Sequence, residues 1–438
     1  MLNIDKNSSI YKVIKNAGIL LSGDIPANIF KLLSLAIFSH TLGAEILGYY
    51  VLFLSTIEVI DRVFNFQTWQ AFIKFASTFQ AKKEHNNILM LLKYTFIIDF
   101  ITLLLATLVT LLISRFVIEF FNIPIDFLHL LYLLSITILL KIAHISTGIF
   151  RFFNRFGIQS KIAIYTSIFR LFLFGIAALI SPSFDFFLYA TIMTSLFSMI
   201  LKFIHSKSVL LENGIKLSSI IKAKVDFKRL KEFKVLSFVI YNNFDVALRL
   251  ITTQLDVFVL GKLYGSELVS IYKITKESSK IILKGSSPIY QSVYPEFSKL
   301  IAAKKTNKAK KVAFKLSTYA GLAGLFFYLL FYFVGEKFIF YSFGAEFIEA
   351  YSVSLVYIIV VIFSLIAIPY PSLMHAMGRA KLAFFNQLIS TAIYCLVFYL
   401  LIVKLALYGA VIAMILYNLF WILGSFIIIN IKENENII

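Results

Sequence analysis

Apolar runs long enough to cross a bilayer follow one another along the whole chain, and no long polar region separates them. A spanning helix needs about 20 mostly apolar residues. Twelve segments qualify, at roughly 15–39, 47–75, 91–114, 127–150, 159–180, 185–204, 235–261, 267–298, 314–335, 348–374, 381–403 and 407–430. Pro124, the Ser-Pro-Ser run at 181–183 and Gly335 punctuate the gaps. Only 15% of the 438 residues are charged and 60% are hydrophobic, whereas soluble domains carry about 25% charged residues. The pattern predicts an all-α polytopic membrane protein.

The formal net charge of +19 would suggest nucleic acid in a soluble chain. Here the cations sit in short loops, so they report topology, and no nucleic-acid partner is expected. Lys6, Lys12 and Lys15 precede span one, Lys82 and Lys83 follow span two, and Arg151, Arg155 and Lys161 follow span four. Lys202 to Lys234 form a basic linker, and Lys299 to Lys315 a lysine-rich loop after span eight. Arg379, Lys381 and Lys432 complete this side, while the opposite gaps hold only Arg115, Lys262, Lys337 and Lys404. Positive loops stay in the cytoplasm, which predicts cytoplasmic termini. The count also requires span eight to cross, despite Pro288 and Pro295, because otherwise every later loop is inverted; membrane helices tolerate proline where neighbours resatisfy the backbone. The start, MLNIDKNSSIYKVIKN, has no cleavable-signal pattern. Cys395 stands alone, which excludes a disulfide framework and a cysteine metal cluster.

The chain repeats itself. LGAEILGYY at 42–50 matches YGSELVSIY at 264–272, with Gly43 over Gly265, Glu45 over Glu267 and Tyr50 over Tyr272. RFGIQSK at 155–161 aligns near AMGRAK at 376–381, with Gly157 over Gly378. Each half then holds six spans. An even number makes the repeat parallel, with its axis along the membrane normal. The expected division is an N-lobe at 1–206, a basic cytoplasmic linker at 207–234 and a C-lobe at 235–438. Substrate sites of such transporters lie at the interface of the repeats.

Charges persist inside the spans. Span eight contains IYKITKESSKIILK at 271–284. At about 100° per residue, Lys273, Lys276, Glu277, Lys280 and Lys284 share one arc. Asp245, Arg249, Thr252 and Asp256 share a face on span seven, as do Asp24, Asn28 and Lys31 on span one. Glu58, Asp61, Arg62, Asn65 and Trp69 form a stripe on span two, Lys141 and His144 lie on span four, and Arg170 lies on span five. Spans six, nine and twelve carry essentially no interior charge. A charge at a span's centre costs roughly 2.5–3.5 kcal/mol on insertion scales, so these groups should pair or face a wet cavity. The cations are Lys31, Arg62, Lys141, Arg170, Arg249, Lys273, Lys276, Lys280 and Lys284; the anions are Asp24, Glu58, Asp61, Asp245, Asp256 and Glu277. Even full pairing leaves positive charge over, which calls for an anionic ligand in a hydrated cleft.

Plainer readings stand beside this one. Lys74, Lys93 and Lys284 can snorkel to headgroups. Asp245 with Arg249, and Glu58 and Asp61 with Arg62, can be structural ion pairs. Asp99 can be interfacial or helix-paired, and His144 a hydrogen-bonded packing residue. The basic loops can hold topology and touch anionic lipids. The six histidines are scattered, so no metal centre is expected, and no P-loop is present.

FSHTLGAEILGYYVLFLS and TTQLDVFVLGKLYGSELVSIYKITKE resemble the openings of the two halves of Wzx-type polysaccharide flippases, members of the multidrug/oligosaccharidyl-lipid/polysaccharide exporter (MOP) superfamily. The resemblance covers essentially the whole chain and separates the superfamily from other folds better than its branches from one another. It implies an inner-membrane flippase that moves undecaprenyl-pyrophosphate-linked oligosaccharide to the periplasmic leaflet by alternating access. It also implies a cationic cleft at Lys31, Arg62, Arg249, Lys273, Lys276 and Lys280. The two extra helices of lipid II flippases are absent, which disfavours a peptidoglycan role. A lysine ammonium suits phosphate as a point charge on a flexible stem. No cofactor is expected beyond coupling protons or Na⁺, for which Asp24 and Asp61 are candidates; a polysaccharide polymerase and a chain-length regulator are candidate partners. A multidrug antiporter of the same superfamily is the alternative, although surplus lysine repels cationic drugs. A membrane polymerase or ligase would need a larger outer loop than any present, and a scaffold would not need buried charge.

The orientation is tested by placing single cysteines in the 299–315 loop of a Cys395→Ala background. They should resist an impermeant thiol reagent in intact cells and react after permeabilisation; labelling in intact cells would invert the topology.

Overall fold

The computed structural model describes residues 9–66, 68–280, 283 and 287–431. The side chains of Asp245, Arg249 and Thr252, and the whole of Lys284, lie outside the described residues. Every described regular element is a helix. In chain order they are α1 (Ser9–Phe64), α2 (Thr68–Ala81), α3 (His85–Phe120), α4 (Leu128–Leu139), α5 (Ile145–Phe152), α6 (Phe156–Ile180), α7 (Phe184–Glu212), α8 (Leu217–Lys222) and α9 (Phe227–Glu232). They continue as α10 (Val235–Tyr264), α11 (Ser266–Ser279), α12 (Ser287–Ala302), α13 (Thr306–Phe343), α14 (Glu349–Ala367), α15 (Pro369–Ala376) and α16 (Ala380–Asn430).

Eight helical stretches among the described residues are long and apolar enough to span. Two are of double length, Gly18–Ala81 with 64 residues and Lys381–Asn430 with 50. Each contains a one-residue break, at Gly43 (φ 76°, ψ −178°) and at Ala406 (φ 45°, ψ −119°). At 1.5 Å per residue neither could be a single pass through roughly 30 Å of hydrocarbon. With α10 and the α11–α12 segment, the architecture is consistent with the twelve spans read from the sequence. Leu179, Phe333 and Tyr341, all largely exposed, are examples of the apolar surface such a bundle offers to lipid.

The internal repeat is visible in the backbone. Gly265, between α10 and α11, has φ 85° and ψ −178°, matching Gly43 at the offset of 222 taken from the sequence. Glycine reaches this region because it has no Cβ. The second anchor needs a correction of three residues. Asn154 (φ 56°) and Gly378 (φ 74°) hold the same left-handed cap. Each donates to the carbonyl three residues back, Asn154 to Arg151 at 3.1 Å and Gly378 to His375 at 3.0 Å. Each is followed by an arginine whose N–H closes the turn, Arg155 on Phe150 and Arg379 on Met374. Gly378 therefore corresponds to Asn154, not Gly157. The sequence match was drawn to the glycine, but asparagine also tolerates the left-handed cap.

Both halves also break a span near its middle. A 3₁₀ turn at Leu140–His144 separates α4 from α5, and Pro369 separates α14 from α15. Proline lacks the N–H needed to continue a helix; the first half makes its break without one.

Packing divides the chain into two compact units, Ser22–Val269 and Ser270 onward together with the segment ending at Leu21. The first unit has a core of Phe72, Phe75, Phe79, Leu91, Val209 and Val235, and a second aromatic group of Phe38, Tyr50, Phe174 and Phe187. α10 belongs to this unit: Asn243 donates to the Val63 carbonyl at 2.6 Å and Gln254 to Glu58 at 3.0 Å. The connecting helices α8 and α9 are tied to α3. Lys93 Nζ donates to the carbonyls of Ile221 and Ala223 at 2.7 and 2.9 Å, so it caps α8 in place of snorkelling. Arg229 pairs with Glu84 at 2.9 Å. Desolvation pushes the Glu84 carboxyl up, but hydrogen bonds from Asn87 and Arg229 outweigh it and hold it below its ordinary value. The second unit packs Phe297, Ala309, Leu373, Met374 and Ile428 where α12, α13, α15 and α16 meet.

Gly48 lies against the start of α11, where a Cβ would come within 2.0 Å of the Ser266 carbonyl oxygen. The repeated motif thus touches its own copy. Gly48→Ala is expected to destabilise the protein by about 1–3 kcal/mol, read as a lower melting temperature in detergent. Gly175→Ala, where nothing lies within 4 Å, should leave it unchanged or higher.

Candidate functional site: a cationic cavity inside the first unit

The charged stripe of α1 runs into a break at Asn65, one turn beyond Asp61. Asp61, Asn65, Lys141 and His144 meet there. Lys141 Nζ donates to Asp61 Oδ2 at 2.7 Å, and Asn65 Nδ2 approaches Asp61 Oδ1 at 3.3 Å and His144 Nδ1 at 3.1 Å. The 3₁₀ turn explains the convergence. At three residues per turn, positions i and i+3 eclipse, so Lys141 and His144 leave the backbone on the same side. One turn earlier on α1, Arg62 pairs with Glu58 at 2.5 Å, and Gln254 of α10 reaches the other Glu58 oxygen. Arg170 of α6 donates to the buried Tyr50 hydroxyl at 3.1 Å, which meets Thr191 at 3.0 Å.

These groups, Gln254 apart, line a cavity of about 670 Å³. A second pocket of about 240 Å³ adjoins it, sharing Thr137, Lys141, His144, Arg170 and Ser195 and adding Lys31 and Lys202. Five cations line the pair, Lys31, Arg62, Lys141, Arg170 and Lys202, against two carboxylates, Glu58 and Asp61. Glu58 holds Arg62 and Asp61 holds Lys141. The lining therefore carries more positive than negative charge.

Six sequence-predicted site residues come together here: Lys31, Arg62, Lys141, Arg170, Glu58 and Asp61. Others lie elsewhere. Asp24 is exposed on α1, with its backbone carbonyl accepting from Asn28. Asp256 is fully buried in α10, where its carboxylate accepts the Val257 N–H at 2.9 Å. Asp99, one of the residues with a plainer reading, is buried and accepts from Thr68 at 2.8 Å, so it is helix-paired. Asp245 and Arg249 lie outside the described side chains.

The lysines of α11 belong to the second unit. Lys273 pairs with Glu277 at 3.1 Å, Lys276 lies 4.9 Å from the centre of the Tyr272 ring, and Lys280 lies 5.6 Å from that of Tyr357. Cation–π contact is one way to hold such charge away from water. None of the three lines either cavity. Among the described residues no cluster of histidine, cysteine or acidic side chains could hold a metal ion.

Lys202 was not expected in the site. The sequence places it at the end of span six, among the linker cations. The helix runs on to Glu212, so Lys202 lies roughly 15 Å short of its end at 1.5 Å per residue. The charged run from Lys202 to Lys207 hid that continuation, and spacing alone gave no signal.

The profile of a family described as "polysaccharide biosynthesis protein" matches residues 13–301. The chain belongs to that family. No curated protein matches it significantly. Solved structures show the same fold at low identity. An inward-facing MATE-family multidrug resistance transporter of the MOP superfamily has 13% identity and a TM-score of 0.71, covering 94% of this chain and 97% of its own. A mutant of the Vibrio cholerae MATE transporter VcmN has 14% identity and a TM-score of 0.68, covering 96% of both chains. The lipid II flippase MurJ, in an inward closed conformation, has 16% identity and a TM-score of 0.62, covering 92% of this chain and 84% of its own. The chain shares the fold of these membrane proteins, the architecture that the sequence resemblance implied.

The Asp61–Lys141 pair gives a direct test of this geometry. Removing one partner of a fully buried ion pair costs about 3–5 kcal/mol, and this half-buried pair should cost less. Asp61→Asn and Lys141→Met should each lower the unfolding midpoint in detergent, while the double variant should recover most of the loss. Additive losses would show that the two side chains do not pair.

Proposed function

We propose that this protein is a flippase that carries undecaprenyl-pyrophosphate-linked oligosaccharide from the cytoplasmic to the periplasmic leaflet of a bacterial inner membrane by alternating access. The observation that carries the reading is the positive excess in the cavity of the first unit, in a chain of the polysaccharide biosynthesis family with the fold of a lipid II flippase. A lipid pyrophosphate brings about two negative charges and a bulky polar head. Its passage needs a hydrated, electropositive route, while the polyprenyl tail stays in lipid. Lys31, Arg62, Lys141 and Arg170 are the proposed contacts in the first unit, and Arg249, Lys273, Lys276 and Lys280 those contributed from later helices. Asp24, Glu58, Asp61, Asp245, Asp256 and Glu277 are the proposed coupling or charge-balancing groups, with H⁺ or Na⁺ as the coupling ion.

An ion-coupled multidrug antiporter is the second reading, supported by the likeness to MATE transporters. The lining argues against it, because cationic drugs would meet like charge. In this account both termini are cytoplasmic, anionic lipids surround the basic loops, and a polymerase and a chain-length regulator receive the product.

Arg170→Met should reduce surface polysaccharide at least tenfold, about 1.4 kcal/mol, while the protein stays inserted at normal abundance. The Lys273/Lys276/Lys280 triple alanine variant should do the same. Undiminished polymer from both, with export of cationic dyes by the wild type, would replace the flippase reading with the antiporter one.

A further inference from the structure

The smaller pocket has a feature that a general cationic cleft does not require. Its lining includes Lys31, Lys141, Arg170 and Lys202 and no carboxylate at all. Asp61, which holds Lys141, lines only the larger cavity. Among the described residues the Lys202 ammonium has no hydrogen bond and no ion pair, and its charged surroundings are Lys31, Lys141 and His144, none of them acidic. Two more polar atoms of the lining lack partners. The Thr166 hydroxyl and Arg170 Nε are buried and make no hydrogen bond. Thr166 and Arg170 are four residues apart on α6, and Ser198 and Lys202 four apart on α7, so each pair shares a face. Unmatched polar groups thus converge from two helices.

Buried donors and an ammonium group without partners are costly in a low-dielectric interior, and the Lys202 charge is repelled by Lys31 and Lys141. An anion removes both penalties. The pocket volume of about 240 Å³ is far too small for an oligosaccharide. A guanidinium, ammonium groups and a hydroxyl together suit an oxyanion with several acceptor oxygens. We propose that this pocket, lined by the first unit alone, is a phosphate-class oxyanion site, with Lys202 and Arg170 as its principal ligands and Thr166 as a hydroxyl donor. The site rests on these residues and not on the identity of the transported sugar. Its ligand is either a free inorganic anion or a phosphate at the head of a lipid.

The test uses the purified full-length protein in detergent, with orthophosphate titrated against chloride at constant ionic strength and binding read by calorimetry and thermal shift. Wild type should bind orthophosphate saturably and melt at a higher temperature with it. Lys202→Gln should weaken binding at least tenfold and Thr166→Val several-fold, while Lys310→Gln, outside both cavities, should not change it. Lys202→Gln also removes a like charge, so on the same account its melting temperature without phosphate should rise or hold. That separates lost binding from a damaged fold. An undecaprenyl phosphate arm distinguishes the sources. Competition with orthophosphate assigns the pocket to a lipid phosphate, and independent binding assigns it to a free anion. Equal responses to phosphate and chloride, or phosphate binding untouched by both Lys202→Gln and Thr166→Val, would overturn the site. A protein that moves lipid-linked sugar yet binds no phosphate here would sink this inference alone.

Discussion

The cost of holding charge in hydrocarbon governs this structure. A polytopic chain can place its helices almost anywhere that buries apolar surface, but an ammonium or carboxylate at membrane depth must find a partner or water. Here the first unit gathers five cations and two carboxylates around two adjoining cavities. Two ion pairs, Arg62–Glu58 and Lys141–Asp61, neutralise part of that charge. Arg170 and Lys202 are left on the positive side of the balance. A protein selected only for stability would replace such groups with packed apolar side chains, which are often neutral or better in energy.

The backbone is built to serve that arrangement. The span containing Lys141 and His144 gives up α-helical geometry where those two residues must face the same way. The equivalent span of the second half breaks at Pro369, so the interruption is a property of the repeat, whatever the local residue. Glycines carry the rest of the design. Gly43 and Gly265 turn the chain with nearly identical dihedrals, and Gly48, lacking a Cβ, lets one copy of the motif approach Ser266 of the other.

Much of this was legible in the sequence because membrane physics writes in large letters. Length of apolar run, loop charge and the LGAEILGYY repeat yielded the fold class, and the cost of intramembrane charge pointed to Lys31, Arg62, Lys141 and Arg170. The rest depended on facts that spacing does not carry. The register of the second repeat anchor was set by a left-handed asparagine, Asn154, and not by the nearest glycine. Lys202 was hidden by the uncertain end of its helix. The three lysines of α11 look equivalent on a helical wheel, yet they have three different surroundings: a carboxylate for Lys273, and the Tyr272 and Tyr357 rings for Lys276 and Lys280. Tertiary contacts decided those differences.

The central claim is that the interior of the first unit is built for negative charge. It is tested most directly in proteoliposomes of the purified protein, by following transbilayer movement of a polyprenyl-pyrophosphate-linked sugar alongside a cationic dye of similar head size. The account predicts rapid movement of the pyrophosphate lipid and none of the dye. Translocation of the dye, with the pyrophosphate lipid moving no faster than in protein-free vesicles, would contradict it.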